Sequence, residues 1–324
     1  MHRKFMAIVG NTFVETVRQP IFSVLMWVAA GMLVLNPSMA LFSLQSGRDN
    51  KIMQDVGLAT LLLFGLIASA FSATGVITRE IENRTVLTVI SKPVSRFSFL
   101  IAKYVGVSGA LLVGYYFLCL VFMMTVRHGV METVADKFDK PVMVFSIAAL
   151  SISLIAATFG NYMYGWHFPT ALIAWAVPLG TLALATTLFF DPEWTVQSPI
   201  KDFGDMQIIY AIAATFCAVL VLTAFAVAIS TRFSQVMTLI FCVAVFCLGL
   251  LSDHLAGQYA DQSVVYQTIS AVLPNFQFFW LADPLTQDQL ISGSHVLLLI
   301  GYAALYIPAI LALGVAMFQT REVG

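Results

Sequence analysis

Seven stretches of this chain run for about 20 residues or more with no Asp, Glu, Lys or Arg, a single lysine apart. They are residues 21–44, 56–78, 98–126 (with Lys103 near its start), 141–159, 170–190, 208–230 and 295–318. A hydrocarbon core about 30 Å thick takes about 20 helical residues to cross. In lipid the backbone must satisfy its own hydrogen bonds, so runs of this length predict transmembrane helices. An eighth run, 236–251, is shorter and needs Ser234, Gln235 and Ser252 to reach across. Only 10% of the 324 residues are charged, against about 25% in a soluble domain, and mean hydropathy is +0.89. So few charges could not cover a water-facing surface. The chain therefore reads as all-α, a polytopic transmembrane helix bundle of about eight spans, six plus an extra hairpin at 141–190. If that hairpin is re-entrant, six spans remain. Pro178 and Pro308 predict local kinks within spans.

The run 21–44 is longer than the apolar region of a signal peptide and starts late, so it reads as a retained first span. Orientation follows the positive-inside rule. With the N-terminus in the cytoplasm, ten Lys and Arg lie inside, against six outside: Arg48, Lys51, Arg127, Lys137, Lys140 and Lys201. Both termini are then cytoplasmic in a cytoplasmic (inner or plasma) membrane. The segment 252–293 has no Lys or Arg and reads as an outer loop. Its aromatic run includes Phe276, Phe278, Phe279 and Trp280, which suits an interfacial anchor or a re-entrant turn; these four are also candidates for an outer gate.

Residues 2–19 place Phe5, Val9, Phe13 and Val17 four residues apart, with Ile8 beside them and Lys4, Asn11, Glu15 and Arg18 opposite. This predicts an amphipathic helix lying along the membrane interface with its phenylalanines among the acyl chains. Cys119, Cys217, Cys242 and Cys247 all fall in apolar runs without metal-ligand spacing, and the five histidines are scattered, so no metal site is expected. A net charge of −1 gives no bias toward nucleic acid.

Between the second and third spans, residues 79–96 hold six charges in 18 residues. Burying them at the bilayer centre would cost about 15–20 kcal/mol. The segment therefore lies outside the hydrocarbon, and its four basic residues assign it to the cytoplasm. Its first part reads as a short helix opening at Glu80 and Glu82, where carboxylates favour the positive helix end, and stopping at Lys92-Pro93.

The pattern Glu80-x-Glu82-x-x-Thr85, then Val89-Ile90-Ser91-Lys92-Pro93-Val94-Ser95-Arg96, then Lys103, resembles the coupling segment of ABC-2 type transporter permeases. The N-terminal helix followed by Arg18-Gln19-Pro20-Ile21-Phe22 is similar to that family's elbow helix. The ending Phe318-Gln319-Thr320-Arg321-Glu322 is similar to its usual finish. Two features depart from the pattern: Arg84 stands where many members have glycine, and most members have six spans. The resemblance implies one permease domain over 1–324 with a coupling helix in 79–97. It implies a separate ATPase partner that binds ATP and Mg, whose nucleotide-driven dimerisation pushes on that helix. A second copy or a paralogous permease subunit completes the membrane part, and no cofactor belongs to this chain. By the same resemblance Glu80, Glu82, Arg84 and Thr85 face the ATPase, while Pro93 and Arg96 set the return into the third span. No glycine in the chain is followed by lysine, so it lacks a P-loop of its own.

Two other readings compete. An ion-coupled secondary transporter needs ionisable groups inside its spans; here only Lys103 qualifies, and it reads as snorkelling to the surface. A membrane enzyme, or a non-transporting anchor for an ATPase, is the other. The outer carboxylates Asp49, Asp55, Asp136, Asp139, Asp191, Glu193, Asp202 and Asp205 show no catalytic spacing and read as solvating loops. The topology has a direct check. A Ser91→Cys variant should react with an impermeant thiol reagent only in inside-out vesicles, and labelling of intact cells would reverse the orientation.

Overall fold

The computed structural model describes residues 2–40, 49–82, 95–130, 138–203, 206–255, 264, 273–287 and 289–319. Among the described residues nine long helices follow one another: α1 (His2–Val17), α2 (Pro20–Ala40), α3 (Asp49–Glu82), α4 (Arg96–His128), α5 (Lys140–Tyr164), α6 (Phe168–Thr187), α7 (Gln207–Ser230), α8 (Gln235–Leu250) and α9 (Gly293–Gln319). Short helical turns lie at Ser252–Leu255, Phe276–Phe279 and Ala282–Thr286. Seven of the nine are long and apolar enough to cross a membrane; α1 and α8 are the exceptions. The 16 residues of α8 rise about 24 Å, so the eighth predicted span falls short of a full crossing by itself. The chain is a multi-pass membrane protein with an all-α bundle.

At the centre, α3, α4 and α7 pack on one another, with α2, α8 and α9 around them. Small residues make this close contact feasible, as membrane interfaces require. Ala211, Ala214, Ala218, Ala224, Ala226 and Ala228 of α7 are all buried. A Cβ on Gly65 of α3 would lie 2.1 Å from Val219 of α7, so only glycine permits that crossing. Some buried polar groups are satisfied between helices. Asn36 donates to the Met53 carbonyl at 2.7 Å, and Tyr115 donates to the Ile212 carbonyl at 3.0 Å. Pro178 and Pro308 sit inside continuous helices α6 and α9. Three cysteines are buried and Cys247 is exposed. Among the described residues no cluster of metal-ligating side chains occurs.

The hairpin of α5 and α6 is long enough to span rather than re-enter, with 25 and 20 residues. Its joint closes at Gly165, whose φ of +66° favours glycine. Most of α5 is exposed on the bundle's flank, and only 17% of its apolar window is buried.

Arg127 at the end of α4 fastens this hairpin to the core at the end of the bundle remote from α1. Its side chain is 4% exposed, 3.1 Å from Asp139 and 3.3 Å from Asp202, and it donates to the carbonyls of Thr187 and Phe190. Asp139 also caps α5, accepting from the Val142 N–H at 3.0 Å. Asp139 and Asp202 were expected to solvate loops. They are counter-ions instead, because the buried guanidinium needs acceptors. Arg127→Met leaves Asp139 buried without its cation and is expected to cost about 3–5 kcal/mol. This should appear as a lower unfolding temperature in detergent, partly restored by adding Asp139→Asn. An unchanged midpoint would show that the cluster carries no stability.

Candidate functional site: an ionic collar around residues 83–94

The second span does not end where its hydrophobicity ends. Helix α3 continues without a proline from Asp49 to Glu82, so Glu80 and Glu82 lie on the helix of the second span itself. This corrects the expectation that they open a separate coupling helix. Glu80 pairs with Lys103, whose Nζ lies 2.9 Å from Glu80 Oε1. Arg84, Thr85 and Pro93 lie outside the described residues, as does the rest of the predicted helix, and of Glu82 only the backbone is described.

Lys103 does not snorkel. It is 1% exposed, about two turns into α4, and its ammonium is enclosed by three helices. Besides Glu80 of α3 it meets Glu15 of α1 at 4.0 Å, the Val76 carbonyl at 3.5 Å and the face of Phe99, 5.5 Å from the ring centre. A buried ammonium is tolerable only with such partners.

The same cluster explains α1. Its apolar stripe was expected among acyl chains, yet it faces α4. Val17 is buried, while Phe5, Ile8, Val9 and Phe13 are half-buried. A Cβ on Gly106 of α4 would come within 2.6 Å of Thr12 and 2.8 Å of the Val9 carbonyl. Missing side-chain volume at Gly106 lets α1 dock, and docking brings Glu15 to Lys103.

The other stem of the 83–94 segment is equally constrained. Ser95 caps α4, accepting from the Ser98 N–H at 3.2 Å. Arg96 donates to the Phe318 and Gln319 carbonyls at 2.9 and 2.8 Å and lies over the Phe318 ring. Arg232, after α7, donates to the Met317 carbonyl at 2.9 Å. Two guanidinium groups thus meet the last carbonyls of α9, where the helix dipole is negative. Thr78 completes the ring, donating to the Ser230 carbonyl at 3.2 Å. Sequence reasoning selected Glu80 and Arg96 but missed Glu15, Lys103 and Arg232. The available signal was a lysine inside an apolar run, whose partners could not be read because they come from distant segments.

At the opposite end, Phe276 and Phe279 are 2% and 1% exposed, whereas Phe278 is 52% exposed and Trp280 is half-buried. The Phe276 ring lies 5.6 Å from Phe246 of α8, and Phe279 lies 5.8 Å from Tyr302 of α9. These aromatics, with Leu62 and Thr215, leave a void of only about 10 Å³, room for about one water. Phe276 and Phe279 thus pack into the bundle end, whereas Phe278 stays on the surface.

Residues 6–161 match the family model described as ABC-2 family transporter protein. Over that stretch, just under half of its length, the chain is similar to the ABC-2 transporter family. The match takes in α1 to α4 and nearly all of α5, and so includes Glu15, Glu80, Arg96 and Lys103. No curated protein and no solved structure matches the chain. That similarity supports a membrane permease component of an ABC transporter.

Removing the buried cation tests the collar. Lys103→Met should destabilise by about 3 kcal/mol, the low end for a broken buried pair because Glu80 is 22% exposed. Adding Glu80→Gln should recover part of the loss in detergent unfolding. A double variant worse than the single one would deny the pairing.

Proposed function

We propose that the chain is the membrane-spanning subunit of an exporter, driven by a separate ATPase that docks on residues 79–97. A second copy or a paralogous subunit supplies the other membrane half. One observation carries this reading: both stems of the charged 83–94 segment are tied into the bundle by buried or capping ion contacts. Lys103 joins the end of α3 to α4 and α1, and Arg96 joins the start of α4 to the end of α9. A force applied to that segment would reach α1, α3, α4 and α9 together, as an ATP-driven switch between two packings requires. An ordinary connecting loop needs no such fastening. On this reading Arg84 and Thr85 contact the ATPase, whereas Glu80 and Arg96 transmit the push. ATP and Mg bind in the partner. Packing of Phe276 and Phe279 supports a closed outer end, which opening of the transporter would have to loosen.

The buried Lys103 cluster also restores one feature of an ion-coupled secondary transporter. Its depth argues against that role. Lys103 lies about 10 Å along α4 from Arg96, near one end, whereas coupling sites sit near the midplane.

Co-expressed with its ATPase, the chain should co-purify as a complex. Arg84→Glu should lower recovery of the ATPase at least several-fold. Lys103→Met, if folded, should keep recovery but lose the coupling of ATP hydrolysis to the membrane subunit. Unchanged recovery and ATPase activity in Arg84→Glu would refute docking at this segment.

A further inference from the structure

In the spans of this protein a buried threonine hydroxyl has a regular partner, the carbonyl one turn back in its own helix. Thr60, Thr74, Thr215 and Thr223 all donate there at 2.7–2.8 Å, as hydroxyls in a lipid-embedded helix do when nothing else accepts. Where the α1–α2 elbow meets α3 and α4 this pattern breaks. Thr12 and Thr16 of α1, Ser23 of α2 and Ser72 of α3 are buried, and their hydroxyls have no hydrogen-bond partner. Gln19, between α1 and α2, is buried too, and neither its amide nitrogen nor its amide oxygen is paired. Elsewhere among the described residues such hydroxyls occur singly, as at Thr170 and Thr238.

The five side chains lie along one seam. Thr12 sits in the Gly106 notch of α4, and Thr16 follows one turn later on the same face. Gln19 sits in the Gly75 notch of α3, where a Cβ would come within 2.5 Å of Nε2. Ser23 is one turn beyond Gln19, and Ser72 one turn before Gly75, on the faces by which α2 and α3 pack. Both notches fit too closely to admit a water between the helices. A surface cleft of about 350 Å³ runs along the elbow, bordered by Glu15, Arg18 and Gln19, but the Gln19 amide atoms are shut off from it. Docking of the elbow thus withdraws five polar side chains from water with nothing in exchange, and each carries a desolvation penalty. What holds the elbow down is the buried apolar set Val17, Phe22 and Met26, with the Glu15–Lys103 contact at 4.0 Å. That contact is looser than the 2.9 Å pair of Lys103 with Glu80, so Lys103 keeps its nearer counter-ion when Glu15 leaves.

We propose that the α1–α2 elbow is a strap poised to lift from α3 and α4 along this seam, exchanging apolar contact for hydration of the five polar side chains. Water enters from the cleft, and Lys103 stays paired with Glu80. The elbow then has two packings close in free energy, as a conformational switch requires. A permanently docked elbow would be better served by valine at Thr12 and Thr16 and alanine at Ser23 and Ser72, which fill similar space without the cost. Lifting is a property of this chain alone and needs no ATPase.

The test is hydrogen–deuterium exchange of the full chain in detergent, read by mass spectrometry over residues 8–23, beside the unfolding temperature. In the intact chain the elbow should exchange faster than the buried stretch of α7. Thr16→Val and Ser72→Ala, on different helices of the seam, each remove an unpaired hydroxyl with little change of shape. Each should slow elbow exchange about tenfold and raise the unfolding temperature. Thr215→Val, which removes a back-bonded hydroxyl from α7, should leave elbow exchange unchanged. An elbow that exchanges no faster than α7, exchange unmoved by the two seam variants, or equal slowing by Thr215→Val would overturn the proposal. So would faster exchange, a lower unfolding temperature or failure to fold in either seam variant, because the hydroxyls would then have partners that hold the elbow down.

Discussion

A lysine ammonium that is 1% exposed inside an apolar bundle needs carboxylates beside it, because an unpaired buried charge is costly. Lys103 is held by Glu80 and Glu15, and much of the architecture at the α1 end follows from that requirement. Glu80 reaches it because α3 continues past its apolar run. Glu15 reaches it because Gly106 lets α1 dock closely on α4. The pair therefore joins the N-terminal helix, the end of the second span and the start of the third in one contact. Buried ion pairs contribute modestly to net stability but are costly to break. A contact of that kind suits a joint that must keep its geometry while the helices around it move.

The two ends of the bundle solve the same problem with different chemistry. At the α1 end, Arg96 and Arg232 satisfy the final carbonyls of α9, and Thr78 satisfies that of Ser230. At the other end, Arg127 gathers Asp139, Asp202 and the carbonyls at the end of α6 and just beyond it. In each case a guanidinium, with several donors in a fixed fork, closes helix ends that lipid cannot solvate. The aromatic turn at Phe276–Phe279 instead closes the far end by packing. The α5–α6 hairpin relies on Arg127 more than the central spans do, because most of its surface faces outward.

Similarity to the ABC-2 transporter family gives these contacts a mechanical sense under the proposed function. The described residues on both sides of 83–94 are tied into the bundle, so a push there would reach several spans at once.

Composition and the spacing of charge-free runs determined the solvent, the helical class and the approximate position of each span. Hydrocarbon leaves a chain no other way to satisfy its backbone. The charge density of residues 79–96 likewise marked the segment that cannot enter lipid, and its motif pointed to the family. Tertiary structure alone decided what the isolated charges do. Lys103, Arg127 and Asp139 looked like surface residues because one-dimensional hydropathy cannot show that partners from residues 15, 80 and 202 converge on them. It also decided that Glu80 continues the helix of the second span rather than opening a separate one, where its carboxylate serves as counter-ion to the buried Lys103.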